Sequence, residues 1–145
     1  MTPGMIGRMN RDLISHIGIA VADLSSAIQR YQLLIGKEPD HVTEVADQKV
    51  TVAMFAGQSA GSSKIELVAP TSPDSPVMSF LQKKGEGLHH LCISVDDIEA
   101  ALVRLRSAGV RLIDETPRVG AQGNKIAFVH PSDMHGVLIE LEQKV

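Results

Sequence analysis

The stretch 88-LHHLCISVDDI-98 decides how the rest of the chain is read. His90, Cys92 and Ser94 alternate with Leu91, Ile93 and Val95, the period-two pattern of a half-buried strand. The apolar set is predicted to lie against a helix, which leaves His90 and two small neighbours on the opposite face. The pattern recurs at 16-HIGIAVADL-24, where His16, Gly18 and Ala20 share one face and Ile17, Ile19 and Val21 the other. Each strand runs into an acidic residue and then a helical stretch. His16 and His90 stand 74 positions apart, and the chain reads as a duplication.

Working outward, residues 13–21 are predicted as a strand. Asp23 or Ser25 then caps a helix over about 24–35 with an apolar stripe of Leu24, Ala27, Ile28, Tyr31, Leu34 and Ile35. Gly36 stands where glycine commonly ends a helix. Strands are expected over 40–46, 49–56 and 63–69, the last two joined by the turn GQSAGSS at 57–63. Module one, about 13–69, is therefore β-α-β-β-β. A connector at 70–87 holds Pro70, Pro73 and Pro76, and a short helix over 76–84 turns Val77, Phe80 and Leu81 inward. Module two, about 88–143, opens with strand 88–95 and helix 97–108 (Ile98, Ala101, Leu102, Leu105), ended by Gly109. Strands follow near 110–115, 125–130 and 136–142, with a glycine-rich loop, TPRVGAQGNK, at 116–125.

The ends of the modules repeat as well as their beginnings. The last strand reads 65-IEL-67 in module one and 139-IEL-141 in module two, and each Glu follows its His by the same 50 residues. His16, Glu66, His90 and Glu140 are thus predicted on one concave face, gathered in one cleft by side-by-side packing of the modules. A lone histidine on a strand is usually hydrogen-bonded scaffold; four equally spaced ligand-type residues are a stronger signal. Two imidazoles and two carboxylates suit a divalent transition metal with mixed nitrogen and oxygen ligands. They do not suit structural zinc, which favours closed cysteine-rich tetrahedra. Alternation puts His89 on the face of Leu91 and Ile93, away from the cleft. His41, His130 and His135 have no duplicate and read as scaffold or loop residues. Gly18, Ala20, Cys92 and Ser94 either leave space for a ligand or allow close strand packing. Arg118, Lys125, Lys83 and Lys84 are possible anion contacts of weak signal.

Composition narrows the function classes. At 145 residues the chain is read as one domain, 1–145, able to bury roughly two-thirds of its unfolded surface. A net charge of −3, no Trp, one Tyr and three Phe give neither a phosphate-binding field nor a stacking platform, so no nucleic-acid partner is expected. The single cysteine, Cys92, excludes an intramolecular disulfide and fits a reducing compartment. No run is long and apolar enough for a membrane span, and the opening MTPGMIGRMNRD reads as a loose tail in which Met5 or Met9 is an alternative start. A cytoplasmic setting is expected. No Walker loop, dinucleotide fingerprint, HExxH motif or nucleophile elbow is present.

The segments 16-HIGIAV-21, 65-IELVAP-70, 75-SPVMSFLQKKGEGLHHLCISVDDI-98 and 119-VGAQGNKIAFVHPSDMHGVLIELEQ-143, with the duplicated unit, resemble the vicinal oxygen chelate superfamily. Within it they look most like the methylmalonyl-CoA epimerase family, and the similarity runs from about residue 13 to 143. The resemblance implies an α+β fold whose tandem modules form a curved eight-stranded mixed sheet around a metal-containing cleft, helices on the outer face. It implies metal ligation by His16, Glu66, His90 and Glu140, with Co2+ foremost and Mn2+, Zn2+ or Ni2+ alternatives, an acyl-CoA substrate and a homodimer. The implied reaction interconverts (2R)- and (2S)-methylmalonyl-CoA through a metal-chelated enolate. Glu140 is the expected first base, and Glu66, related to it by the internal pseudo-twofold, the second. Some family members carry Gln at the position of Glu66 and a catalytic Glu where this chain has Val52. Three alternatives stay open: a glyoxalase I-like lyase acting on a glutathione hemithioacetal, an iron dioxygenase, and a non-enzymatic small-molecule binder of the same fold. Substrate, oxygen consumption and metal content separate them.

Overall fold

A computed structural model describes residues 13–145; the expected tail, with Met5 and Met9, lies outside them. Module one runs β1 (Ile14–Ala20), α1 (Leu24–Ile35), β2 (His41–Val45), β3 (Val50–Phe55) and β4 (Lys64–Pro70). The connector holds α2 (Pro76–Lys84). Module two runs β5 (Gly87–Ser94), α3 (Ile98–Ser107), β6 (Arg118–Val119), β7 (Lys125–Val129) and β8 (Ile139–Gln143).

All eight strands join one sheet in the order β2-β3-β4-β1-β5-β8-β7-β6. β1 pairs parallel with β4, and β5 parallel with β8; the remaining pairings are antiparallel. The β1–β5 seam joins the modules. It is symmetric about the pair Ile17 and Leu91, flanked by His16 opposite Cys92 and Gly18 opposite His90. Two register shifts interrupt it. Between Ile14 and His16, β1 carries an extra residue, Ser15; between Gly18 and Ile19, β5 carries an extra residue, His89. Ser15 and His89 are related by the same 74-residue interval as the histidines that follow them, so the duplication extends to its irregularities. A bulge of this kind re-aims a side chain that strict alternation would send to the other face.

Each module covers the outer face of its half-sheet with its own helix. Asp23 caps α1 by accepting from the Ser26 amide, and Gly36 ends it at φ 89°. Leu24, Ala27, Ile28 and Tyr31 of α1 pack on Val21, Ala53, Phe55, Leu67 and Ala69. Leu34 and Ile35, expected in that stripe, are instead exposed together with Leu33, because the sheet cluster beneath the helix ends at Tyr31. Asp97 caps α3 through the Ala100 amide, and Ile98, Ala101, Leu102 and Leu105 pack on Ala127, Val129 and Leu141. The connector helix α2 lies differently: Val77, Phe80 and Leu81 pack with Ala20, Val45, Val50, Val52 and Val68, on the inner side of module one.

The strand expected near 110–115 is reduced to one bridge, Leu112 to Val129. Asp114 explains this. Its carboxylate takes the Phe128 amide at 2.8 Å, while the Phe128 carbonyl accepts the amides of both Ile113 and Asp114. The ladder ends there. Regular pairing resumes at Arg118–Val119 against Ile126 and Lys125, inside the segment predicted as loop.

Candidate metal centre

The four residues singled out by the repeat meet in the middle of the sheet. His16 and His90 lie on the two seam strands, Glu66 and Glu140 on the strands that pair with them, and all four are nearly inaccessible. Glu140 Oε1 stands 3.0 Å from His16 Nε2 and 3.1 Å from His90 Nε2. Glu66 straddles the pair, with Oε2 at 3.6 Å from His16 Nε2 and Oε1 at 3.4 Å from His90 Nε2. The two Nε2 atoms are 3.1 Å apart. Donors bound to one ion at ~2.0–2.2 Å stand about 3 Å from one another when adjacent. These distances and the mixed nitrogen and oxygen donor set fit a divalent ion. A second grouping, His16 with Cys92 and Glu140, is also close enough. Burial, and then the charges of Glu140 and Glu142, push the Cys92 thiol up and keep it neutral, a poor ligand.

Electrostatics follow from this crowding. Burial opposes charge on His90, but hydrogen bonds to Glu140 and Glu66 and their charges overcome it and raise its pKa to about 10. His16 is raised by the same carboxylates against the same burial. Burial works to raise Glu140, yet its hydrogen bonds to His16 and His90 bring it well below the usual carboxylate range. Protons thus take the place a dication would occupy, and a metal must displace them.

Gly18 makes room for the His90 ring. A Cβ there would stand 2.0 Å from His90 Cε1, so the absence of a side chain serves His90. Ala20 is buried in the inner cluster of module one.

His89 departs from the alternation argument. The bulge turns it to the cleft, where its Nδ1 lies 2.9 Å from His90 Nδ1 and its ring meets Phe80 edge-on. Burial first, and then the charge of His90, lower its pKa to about 4. Sequence reasoning also missed Glu142, buried two residues beyond Glu140. It accepts from Ser15 Oγ at 2.5 Å and from Asn124 Nδ2 at 3.2 Å. Period two along β8 was the available signal.

The cleft above these residues has a volume of about 180 Å³. One wall is apolar, with Val45, Val50, Val52, Met54, Val68 and Val77; the other carries Arg118, Gln122 and Phe128. Val52 therefore occupies the wall with no carboxylate. Among the four cations named from the sequence, only Arg118 lines the cleft, held by Asp114 at 3.3 Å and Asp47 at 3.7 Å. Lys125 pairs with Glu99, and Lys84 lies over the Phe80 ring. His41, His130 and His135 stay outside the cleft lining, and His130 accepts the Ser132 amide in a turn.

The profile of the Glyoxalase/Bleomycin resistance protein/Dioxygenase superfamily matches residues 15–128. The chain belongs to that superfamily. It is 40% identical to an ethylmalonyl-CoA/methylmalonyl-CoA epimerase of Cereibacter sphaeroides, over 96% of this chain and 99% of that one. It is 39% identical to the mitochondrial methylmalonyl-CoA epimerase of Homo sapiens, over 95% of this chain and 74% of the relative. A Streptomyces coelicolor methylmalonyl-CoA epimerase variant in complex with 2-nitronate-propionyl-CoA superposes with a TM-score of 0.87 at 37% identity, covering 94% of this chain and 99% of that one. Within the superfamily its place is the methylmalonyl-CoA epimerase family, a family of isomerases. Among the described residues no helix is long and apolar enough to cross a membrane.

Proposed function

We propose that the chain epimerises methylmalonyl-CoA, with a divalent cation, Co2+ foremost, held by His16, Glu66, His90 and Glu140. The observation that carries this reading is the carboxylate pair. Glu66 and Glu140 occupy equivalent places in two modules, and each reaches both histidine Nε2 atoms. The reaction needs a base on each face of a planar carbon flanked by a thioester and a carboxylate. Related by the pseudo-twofold, these two side chains approach a common point from opposite halves of the sheet.

A bound dication would supply Lewis-acid stabilisation of oxyanion charge as the proton leaves. The chain's own residues do the rest. Glu140 takes the proton from one epimer, and Glu66 delivers one to the opposite face; the reverse direction exchanges the roles. Of the other acids lining the cleft, Glu142 is engaged by Ser15 and Asn124, and Asp47 faces Arg118. With Val52 in the apolar wall, Glu66 is the residue left to act as second base.

Proton NMR of methylmalonyl-CoA in D2O tests the reading, using protein stripped of metal and then given Co2+. Metal-dependent loss of the α-proton signal above the uncatalysed rate, coupled to interconversion of the epimers, is the expected result. No acceleration by folded, metal-loaded protein would refute it and direct attention to a glutathione hemithioacetal substrate.

A further inference from the structure

The two bulges on the central seam place one extra side chain beside each histidine of the cluster. We infer that Ser15 and His89 are positioning residues, each accepting the Nδ1 proton of the histidine that follows it and so fixing the tautomer that presents Nε2 to a metal. The inference rests on the metal reading above and assigns roles to residues outside the ligand set.

On the module-one side, Ser15 Oγ lies 3.4 Å from His16 Nδ1 and 2.5 Å from Glu142 Oε1. A hydroxyl has one proton and two lone pairs. The short bond to the carboxylate takes that proton, which leaves an Oγ lone pair for His16 Nδ1–H. Asn124 Nδ2 holds the other oxygen of Glu142 at 3.2 Å, so the acceptor chain is anchored from a third strand connection. On the module-two side, His90 Nδ1 lies 2.9 Å from His89 Nδ1. If His90 offers Nε2 to the metal, its proton sits on Nδ1, and His89 must present a lone pair there and carry its own proton on Nε2. The Phe80 ring, edge-on to His89 at 4.8 Å between centroids, keeps the imidazole in that orientation. Metal-ligating histidines commonly donate their second ring proton to such a partner, which fixes ring orientation and raises ligand basicity.

The two supports differ in chemistry but not in place. Each is the residue before a proposed ligand, each is the extra residue of a bulge and lies against the Nδ1 of the histidine that follows it, and the two lie at equivalent positions of the repeat. Strict alternation would send both away from the histidines they serve.

The test compares Ser15→Ala and His89→Phe, which remove the acceptors, with Ser15→Thr and His89→Gln, which keep one. Co2+ affinity is measured by competition with a chelator, and nitrogen-15 shifts of His16 and His90 report the tautomer in zinc-loaded protein; melting curves check folding. The acceptor-deleting variants are expected to lose about 10–100-fold in metal affinity and to broaden or move the Nδ1 signal of the adjacent histidine. The acceptor-retaining variants should stay within a few-fold of wild type. Folded Ser15→Ala and His89→Phe proteins with wild-type affinity and unchanged nitrogen shifts would overturn the inference while leaving the metal reading intact. Equal losses in the deleting and retaining variants would overturn it too, as mere packing. A wild-type protein that binds neither ion would remove the metal reading, and this one with it.

Discussion

The two modules share a scaffold and differ in what they hang on it. Both present a His on the first strand, a Glu on the last, a bulge before the His and a capped helix outside. Their inner surfaces are unlike. Module one follows Glu66 with Val68 and builds an apolar wall, closed by Val77 from α2. Module two follows Glu140 with Glu142, buried and hydrogen-bonded, and faces the cleft with Arg118 and Gln122. The shared parts make a near-symmetric cluster of two histidines and two glutamates; the divergent parts give the cleft an apolar side and a polar one. An epimerase needs both. The centre must serve two faces of one carbon, while the substrate must bind in a defined orientation.

The strongest way to break the comparison is to disable one carboxylate at a time. Glu66→Gln and Glu140→Gln should each lower epimerisation by ~10²–10⁴-fold while retaining most of the bound metal, read by kinetics alongside metal analysis. If Glu66→Gln mainly strips metal, its assignment as a base fails.

The equivalent positions Gly18 and Cys92 offer a structural contrast. A methyl at residue 18 meets the His90 ring, so Gly18→Ala is expected to displace His90, lose at least about tenfold in metal affinity and cost ~1–3 kcal/mol by overpacking. Cys92→Ala places no atom against a ligand ring, and chelator competition should show near wild-type affinity. Similar losses in both would contradict the account of Gly18.

The acid–base asymmetry predicts a pH dependence. His90 titrates near 10 in the folded protein against an ordinary 6.5, so a metal competes with its proton across that interval. Affinity should rise with pH through this window, by up to about tenfold per unit for each proton displaced. In protein stripped of metal the sign for stability is opposite. His90 contributes fully below about 6.5, and that contribution is lost as pH rises through about 10. Glu140, held low, contributes above its ordinary 4.5 and loses it as pH falls further. Melting temperatures of the stripped protein should therefore decline on the alkaline side while metal affinity climbs.

The outer helices give the mildest contrast. Leu102 of α3 is 2% exposed and Leu34 of α1 is 76% exposed. Leu102→Ala should cost ~2–5 kcal/mol, and Leu34→Ala should change stability by no more than about 0.5 kcal/mol, by urea denaturation.

Much of this was legible in the sequence because duplication converts weak signals into a constrained set. One His on a strand says little; His16 and His90, each 50 residues ahead of a Glu, select four residues that the fold brings together on one face. Capping residues and prolines placed the helices, with α2 falling at 76–84 as predicted. What escaped were departures from regular geometry. Period-two counting assumes an unbroken ladder, so it put His89 on the wrong face when a bulge intervened. It gave a strand to 110–115 where the Asp114 side chain competes with the backbone for Phe128. Leu34 and Ile35 extend a helical stripe that the sheet beneath does not, a matter of tertiary reach that helical periodicity carries no information about.

The central claim is that two symmetry-related carboxylates act on opposite faces of one carbon. It is tested most directly by following solvent deuterium into each pure epimer with the single-carboxylate variants. Glu66→Gln should exchange the α-proton of one epimer with retention of configuration, Glu140→Gln should do so for the other, and neither should interconvert the two at a useful rate. Both variants exchanging the same epimer, or either one epimerising at the wild-type rate, would contradict the account.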